Sequence, residues 1–186
     1  ELSAERSVLQ AILTAAPDFL VLKDRDSVYR KVNPAFCRFL GRSEEEILGK
    51  RDADLFPPGD AEQYTKGDQE VMAFGRTIIG DWSIMGKEGR RWTQVIKTPV
   101  FAEGGSAGIC GVLCSARDVT RRKRMEELVR ARLRLSEFAH GHSLPDLLQK
   151  AIDEAEQLTG STIGFLHFVE ADQESLSLQM WSSNTL

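Results

Sequence analysis

This sequence of 186 residues contains few cysteines, no long apolar run and no excess of basic residues. Three cysteines are too few for a disulfide framework, and their odd number is typical of a reducing compartment. The longest apolar runs, such as residues 19–22, fall far short of the ~20 residues that a membrane helix requires. No signal peptide is visible either. We therefore predict a cytoplasmic segment that does not insert into a membrane.

The charge balance is mildly acidic, since 24 lysine and arginine residues face 28 aspartate and glutamate residues. A nucleic-acid-binding domain usually carries a clear basic excess, so we expect no nucleic-acid partner. Basic residues are nevertheless concentrated at 121–124. Such a run would suit a nucleic acid or an anionic membrane surface, but a solvated helix face explains it better because two glutamates follow at once.

The order of apolar and polar residues predicts four segments. The chain begins without methionine and ends inside a strand pattern, which indicates a piece of a longer protein. The expected segments are an N-terminal amphipathic helix at 1–16, a compact domain at 17–120, a linker helix at 121–142, and part of a second domain at 143–186. In the last of these, a helix begins after Ser143, which caps it, and ends at Gly160. Two strands follow this helix.

The segment 17–120 combines strands of period two with short helices. Helices are expected after Asn33, after Ser43 and over 60–74. Five strands with helices on one face make an α+β fold. The strands are expected at 19–23, 27–32, 77–84, 91–101 and 108–119, with a turn at 103–106 before the last.

Seven short motifs follow one another in this segment with consistent spacing. They occupy residues 16–18, 32–36, 40–50, 54–57, 68–71, 97–100 and 108–120. In this order they resemble a PAS sensory domain, and Asp118 to Thr120 matches that family's closing Asp-x-Thr motif. The resemblance implies a five-stranded antiparallel sheet with helices cupping one face around a pocket.

A weaker resemblance covers the end of the chain. Residues 158–165 are similar to the start of a GAF domain, at its first helix and strands. The order PAS, helix, GAF resembles the input region of a bacterial sensor histidine kinase. It implies a signal-sensing and dimerising module that forms a homodimer through its flanking helices and acts on an effector domain downstream in the same chain. The alternative is a purely structural dimerisation or protein-interaction module of a diguanylate cyclase or a transcription regulator.

The resemblance, combined with strand alternation, also predicts which side chains face the pocket. The position two before Asp118 points inward in the family, which places Cys110, Val112, Cys114 and Ala116 on the inner face. The full set of expected pocket residues is Phe36, Phe39, Phe56, Met72, Trp82, Ile84, Thr93, Val95, Lys97, Val112 and Cys114. Thr120 is expected to cap the linker helix, and Asp118 to favour the positive end of its dipole and to pair with an arginine. The resemblance implies that Asp118 and Thr120 relay pocket or dimer changes into that helix; the alternative is that this junction only caps it.

Lys97 is the one charged residue in the expected pocket. A lysine turned inward is costly unless it is paired. A buried partner, with Asp68 as the candidate, or a position at the pocket rim would explain it. The other hypothesis is a small acidic metabolite whose carboxylate binds this lysine.

The sequence does not identify a cofactor, and we expect either none or a small organic ligand. Covalent flavin photochemistry is not expected, since the surroundings of Cys37 do not resemble the light-sensing motif; non-covalent flavin stays open. Haem-binding PAS domains usually use a histidine of the long helix, and residues 60–74 contain none, so the resemblance implies no haem. His140 and His142 alone do not make a metal site. We find no catalytic constellation and expect any enzyme activity, such as that of a histidine kinase, to belong to the parent protein.

Overall fold

The computed structural model describes residues 2–102 and 108–185, so the turn expected at 103–106 lies outside the described residues. The chain folds as two units, Glu1–Thr120 and Arg121–Leu186. The elements of the first unit are α1 (Leu2–Ala15), β1 (Phe19–Asp24), β2 (Tyr29–Val32), α2 (Pro34–Leu40), α3 (Glu44–Ile47), α4 (Asp52–Leu55), α5 (Pro58–Phe74), β3 (Ile78–Gly86), β4 (Gly89–Phe101) and β5 (Ile109–Asp118).

The five strands form one antiparallel sheet in the order β2-β1-β5-β4-β3. This confirms the predicted α+β class with a five-stranded antiparallel sheet. The last strand lies at the centre, so β5 pairs with the first strand on one side and with β4 on the other. Cys114 consequently lies opposite Val21 in β1 and opposite Lys97 in β4.

Helix α2 begins where a buried asparagine connects three parts of the chain. The side chain of Asn33 accepts hydrogen bonds from the backbone N–H groups of Leu20 (3.0 Å) and Phe36 (3.1 Å). Its amide nitrogen donates to the carbonyl of Asp18 (2.8 Å). The helix ends at Gly41, whose φ of 69° is in the left-handed region that glycine tolerates. One side chain therefore fixes the end of β2, the start of β1 and the helix cap.

The helices that follow are short, except for α5. A reciprocal capping box between Ser43 and Glu46 starts α3, as the sequence predicted. Helix α4 was not predicted, because four residues are too few to show a helical period. Helix α5 begins at Pro58, two residues before the predicted start, since proline is well suited to the first helical position.

Alternation along the strands separates an inner from an outer face of the sheet. Val95 and Lys97 are buried on the inner face of β4, whereas Trp92 and Ile96 are 42% and 37% exposed on the outer face. Cys110 does not lie on the inner face as predicted but is exposed. The register between β4 and β5 shifts at this point, so Cys110 is an extra residue without a partner on β4.

The second unit contains two helices and a hairpin. Its elements are α6 (Thr120–Ala139), which begins at the last residue of the first unit, α7 (Leu144–Thr159), β6 (Phe165–Val169) and β7 (Leu176–Trp181). Arg134 on α6 donates to both carboxylate oxygens of Glu154 on α7, at 2.5 and 2.8 Å. Gln149 on α7 donates to the carbonyl of Trp181 (2.9 Å). None of the helices in residues 2–102 and 108–185 is long and apolar enough to cross a membrane.

Candidate functional site

A cavity of about 40 Å³ lies against the inner face of the sheet. Its wall combines side chains from all five strands with others from α2, α4 and α5, so it lies between the sheet and the helical layer of the first unit. Seven of the predicted pocket residues line it, namely Phe36, Phe56, Trp82, Ile84, Val95, Lys97 and Cys114. The structure thus brings together residues that lie between positions 36 and 114.

Four predicted pocket residues do not line the cavity, namely Phe39, Met72, Thr93 and Val112. Phe39 lies one layer behind the wall, where its ring stacks on that of Phe19 at 4.6 Å. Thr93 is fully buried, and its hydroxyl donates to the carbonyl of Trp82 (3.1 Å). Met72 borders a separate surface groove beside α5. Val112 is buried where β5 pairs with β1.

Lys97 is buried and paired within the protein. Its ammonium group donates to Asp68 Oδ1 (2.5 Å) and to the backbone carbonyl of Tyr64 (2.7 Å). It also lies 4.8 Å from the centre of the Trp82 ring, within range of a cation–π interaction. The structure therefore shows the ion pair with Asp68 that was one of the hypotheses for this lysine.

A second buried lysine was not foreseen. Lys23 on β1 donates to both oxygens of Asp52 (2.7 and 2.6 Å) and to Asp68 Oδ2 (2.8 Å). Asp68 thus binds one lysine with each of its oxygens. We call Lys23, Asp52, Asp68 and Lys97 the buried charge cluster, because all four are at most 4% exposed.

Two hydroxyl groups complete the hydrogen bonding of Asp52. Tyr29 donates to its Oδ1 at 2.7 Å, and Thr65 donates to its Oδ2 at 3.2 Å. Each oxygen of Asp52 therefore accepts two hydrogen bonds, one from Lys23 and one from a hydroxyl. The cluster joins β1, β4, α4 and α5, so it holds the helical layer against the sheet.

The electrostatics of the site follow from burial and from the two aspartates. Burial alone would lower the pKa of Lys23, but the neighbouring Asp68 and Asp52 raise it above its ordinary value. Burial, with the charge of Asp52, raises the pKa of Tyr29 well above its usual range. Burial also raises the pKa of the Cys114 thiol to about 11. Lys23 stays charged and the Cys114 thiol stays protonated at neutral pH, so this wall does not supply a reactive thiolate.

Six wall residues were not predicted, and four of them belong to β1 or to α4. The six are Phe19, Val21, Lys23, Tyr29, Asp52 and Tyr64. Ala116 also lines the cavity, on the inner face of β5 where the family resemblance placed it. Strand alternation was a usable signal for Lys23, because it shares the inner face of β1 with Phe19 and Val21. No comparable signal marks Asp52, since its helix has only four residues.

The end of β5 forms a second set of contacts at the start of α6. Arg91 on β4 donates to Asp118 Oδ2 (3.0 Å), which agrees with the expected arginine partner. Asp118 Oδ1 accepts from the backbone N–H of Thr120 (2.9 Å). The hydroxyl of Thr120 does not cap the helix as predicted, because it accepts the backbone N–H of Trp92 (3.0 Å). We call Arg91, Trp92, Asp118 and Thr120 the strand–helix junction.

Hydrogen bonding also sets the charge state at this junction. Partial burial by itself raises the pKa of Asp118, but the hydrogen bonds from Thr120 and Arg91 lower it below its ordinary value. The carboxylate therefore stays ionised at neutral pH. It keeps its hydrogen bond to the first residue of α6.

The two linker histidines form local contacts. Nδ1 of His140 lies 2.8 Å from the carbonyl of Ser136, and Nδ1 of His142 lies 2.8 Å from that of Phe138. Within residues 2–102 and 108–185, no group of three histidine, cysteine or acidic side chains could hold a metal ion.

Comparison with known families and proteins gives two sequence matches. The model of the family described as the PAS fold matches residues 13–124. The methyl sulfide methyltransferase-associated sensor of Methanosarcina acetivorans is 29% identical over 177 residues, which cover 91% of this chain. Those residues are 17% of the sensor, so the chain spans about a sixth of the length of this curated relative.

Solved structures agree on the fold. The PAS domain of a protein from Colwellia psychrerythraea is 21% identical, with a TM-score of 0.54 over 65% of this chain and 99% of that one. Vibrio cholerae VqmA in a complex with ligand and DNA is 20% identical, with a TM-score of 0.55 over 60% and 50% of the two chains. An RNA-binding light-oxygen-voltage receptor is 19% identical, with a TM-score of 0.56 over 76% and 40%.

Proposed function

The chain belongs to the PAS fold family, and on this premise we propose that it is the sensory input module of a longer signal-transduction protein. The parent we favour is a cytoplasmic two-component sensor histidine kinase, in which residues 143–186 begin a GAF-like domain. Any catalytic step then belongs to an effector domain further along the chain. The curated relative is itself named a sensor and is several times longer than this chain, which supports this arrangement.

The observation that carries the proposal is that the same two strands form the cavity wall and the strand–helix junction. In β4, Val95 and Lys97 line the cavity, and Arg91 lies at the junction. In β5, Ala116 lines the cavity, and Asp118 follows two residues later. A displacement of these strands by a change in the cavity therefore reaches the first residue of α6 directly.

Exposed apolar residues on the flanking helices support a homodimer. On α1, Val8, Leu9 and Ile12 are each about 60% exposed. On α6, Met125 is 54% and Leu128 is 42% exposed. Association of each helix with its copy in a second chain would cover these side chains, as in parallel coiled coils.

The test uses the full-length parent protein and measures its autophosphorylation rate as the output. Asp118→Ala is expected to change the regulation of this rate, because it removes the carboxylate that binds both Arg91 and the first amide of α6. Glu45→Ala, at an exposed position of α3, is the matched control and is expected to leave the output unchanged. Equal outputs from both variants would contradict the relay.

The second candidate is a structural dimerisation module of a diguanylate cyclase or a transcription regulator. The size of the cavity favours it, because about 40 Å³ is well below the roughly 300–1,000 Å³ of ordinary ligand pockets. Ala116→Val partly fills the cavity. If this variant leaves the output unchanged while Ile12→Asp on α1 abolishes both the dimer and the output, the structural role is the correct one.

A further inference from the structure

The buried charge cluster has no net charge. Two lysines face two aspartates, and every one of the four makes at least one contact of 2.8 Å or less to an opposite charge. Three of the four, Lys23, Asp52 and Lys97, also line the cavity. A molecule that enters the cavity therefore meets cations whose charge is already compensated.

A charged ligand would gain no net electrostatic attraction from this wall. It would lose its hydration on entry, and that loss is repaid only where the site holds an uncompensated charge of opposite sign. An acid would be attracted by Lys97 but repelled by Asp52 and Asp68. A positively charged base would be attracted by the aspartates but repelled by the lysines. The cluster therefore disfavours both acids and bases.

Most hydrogen-bond donors and acceptors of the buried charge cluster already have partners within the protein. Lys23 makes three contacts to carboxylate oxygens, and each oxygen of Asp52 accepts two hydrogen bonds. Among the described residues, Lys97 donates two hydrogen bonds, and an ammonium group has three N–H donors. One donor is thus left at the polar end of the cavity.

The rest of the wall is mostly apolar. Phe36, Phe56 and Val95 belong to it, as does Trp82. A buried water needs roughly 10–15 Å³ of such space, so about 40 Å³ holds about three waters or a molecule of similar size.

From the charge balance, the single spare donor and the volume, we propose that the cavity binds a small uncharged molecule that accepts one hydrogen bond from Lys97. This inference rests on the proposed sensory function and specifies the ligand class of the same site. It replaces the acidic metabolite considered from the sequence, because Asp52 and Asp68 already neutralise both lysines. The apolar part of the ligand packs against the aromatic side chains of the wall.

The test compares three probes of nearly equal shape and different charge, namely acetamide, acetate and acetamidinium. Each is titrated into the protein while the amide resonances of Val95 and Cys114, two wall residues on neighbouring strands, are followed by NMR. We expect acetamide to bind about tenfold or more tightly than either ion, because only the ions leave a buried charge uncompensated. Tightest binding of acetate would overturn the proposal in favour of an acidic ligand. A lack of response to all three probes would also overturn it.

Substitutions that change the net charge of the buried charge cluster should change which of the three probes binds most tightly. Asp68→Asn leaves one excess positive charge and is expected to raise the affinity for acetate about tenfold or more relative to acetamide. Lys97→Met leaves one excess negative charge and is expected to favour acetamidinium instead. Asp26→Asn, which changes an exposed aspartate, is the control and should keep the preference for acetamide. A preference that stays the same in folded Asp68→Asn protein would contradict the charge argument.

The proposal is testable even if the cluster variants fail to fold, because the three probes are first compared on the unmodified protein. Its failure is also distinct from failure of the sensory function. The regulation of output through Asp118 is measured on the full-length parent and does not depend on which probe binds.

Discussion

Lys23 Nζ lies 2.8 Å from Asp68 Oδ2, although 45 residues separate the two along the chain. The contact joins β1 to α5, and the other oxygen of the same carboxylate binds Lys97 on β4. Asp68 is fully buried, so the interactions are not screened by solvent. A single carboxylate therefore connects the first strand, the fourth strand and the long helix.

Loss of one cluster lysine should be costly. Lys97→Met leaves Asp68 buried with only one cationic partner and is expected to lower the free energy of unfolding by about 3–5 kcal/mol. Urea denaturation followed by far-ultraviolet circular dichroism measures the change. Lys87→Met is the control, since this lysine is exposed, and should change stability by about 0.5 kcal/mol or less. Equal effects of the two substitutions would show that the buried pair does not stabilise the fold.

Two buried tyrosines provide a matched test of hydrogen bonding to charge. The Tyr29 hydroxyl donates to the carboxylate of Asp52 at 2.7 Å, whereas that of Tyr64 donates to the neutral carbonyl of Ser83 at 3.2 Å. Tyr29→Phe is expected to cost about 1.5–3 kcal/mol and Tyr64→Phe about 0.5–1.5 kcal/mol. The same denaturation measurement compares them. The opposite order would contradict the role assigned to the charged acceptor.

The contribution of Asp118 should depend on pH. Its pKa is lowered in the folded state, so its stabilising effect is complete above the unfolded-state value of about 3.9 and disappears as the pH falls through the lower folded value. Because Asp118 is partly exposed, Asp118→Asn should cost up to about 1 kcal/mol at pH 7. Melting temperatures of both proteins between pH 7 and pH 2 measure the difference. A difference that does not shrink in acid would exclude this assignment.

Two glycines of α5 should respond to alanine in opposite directions. A Cβ at Gly67 would lie 2.7 Å from Cη2 of Trp82, whereas a Cβ at Gly59 would have no neighbour within 4 Å. Gly67→Ala is expected to cost about 1–3 kcal/mol through overpacking. Gly59→Ala should stabilise by up to about 1 kcal/mol, because alanine is the better helix former. A neutral Gly67→Ala would mean that the Trp82 side chain is not held against α5.

The strands could be predicted from the sequence because period-two alternation is local. Alternation placed Val95 and Lys97 on one face, the family resemblance identified that face as the inner one, and Asp68 could be named as a possible partner of Lys97. The pairing of Lys23 with Asp52 could not be found this way. It depends on α4, which is too short for a periodic pattern, and joins positions 29 residues apart.

The helical side of the pocket was harder to predict than the sheet side. Phe36 and Phe39 lie three residues apart on one helix face, yet only Phe36 reaches the cavity. The difference depends on the angle and depth at which α2 packs on the sheet, which no local pattern specifies. The same reason explains Met72, which α5 places beside a surface groove.

The buried side chain of Asn33 has a consequence for the motions of the fold. It accepts the amide protons of Leu20 and Phe36 together, so neither amide can lose its partner while this side chain stays in place. Deuterium exchange at these two positions should therefore follow a single local opening, with the same free energy for both. The first strand and the second helix would then separate as one cooperative unit rather than fray independently.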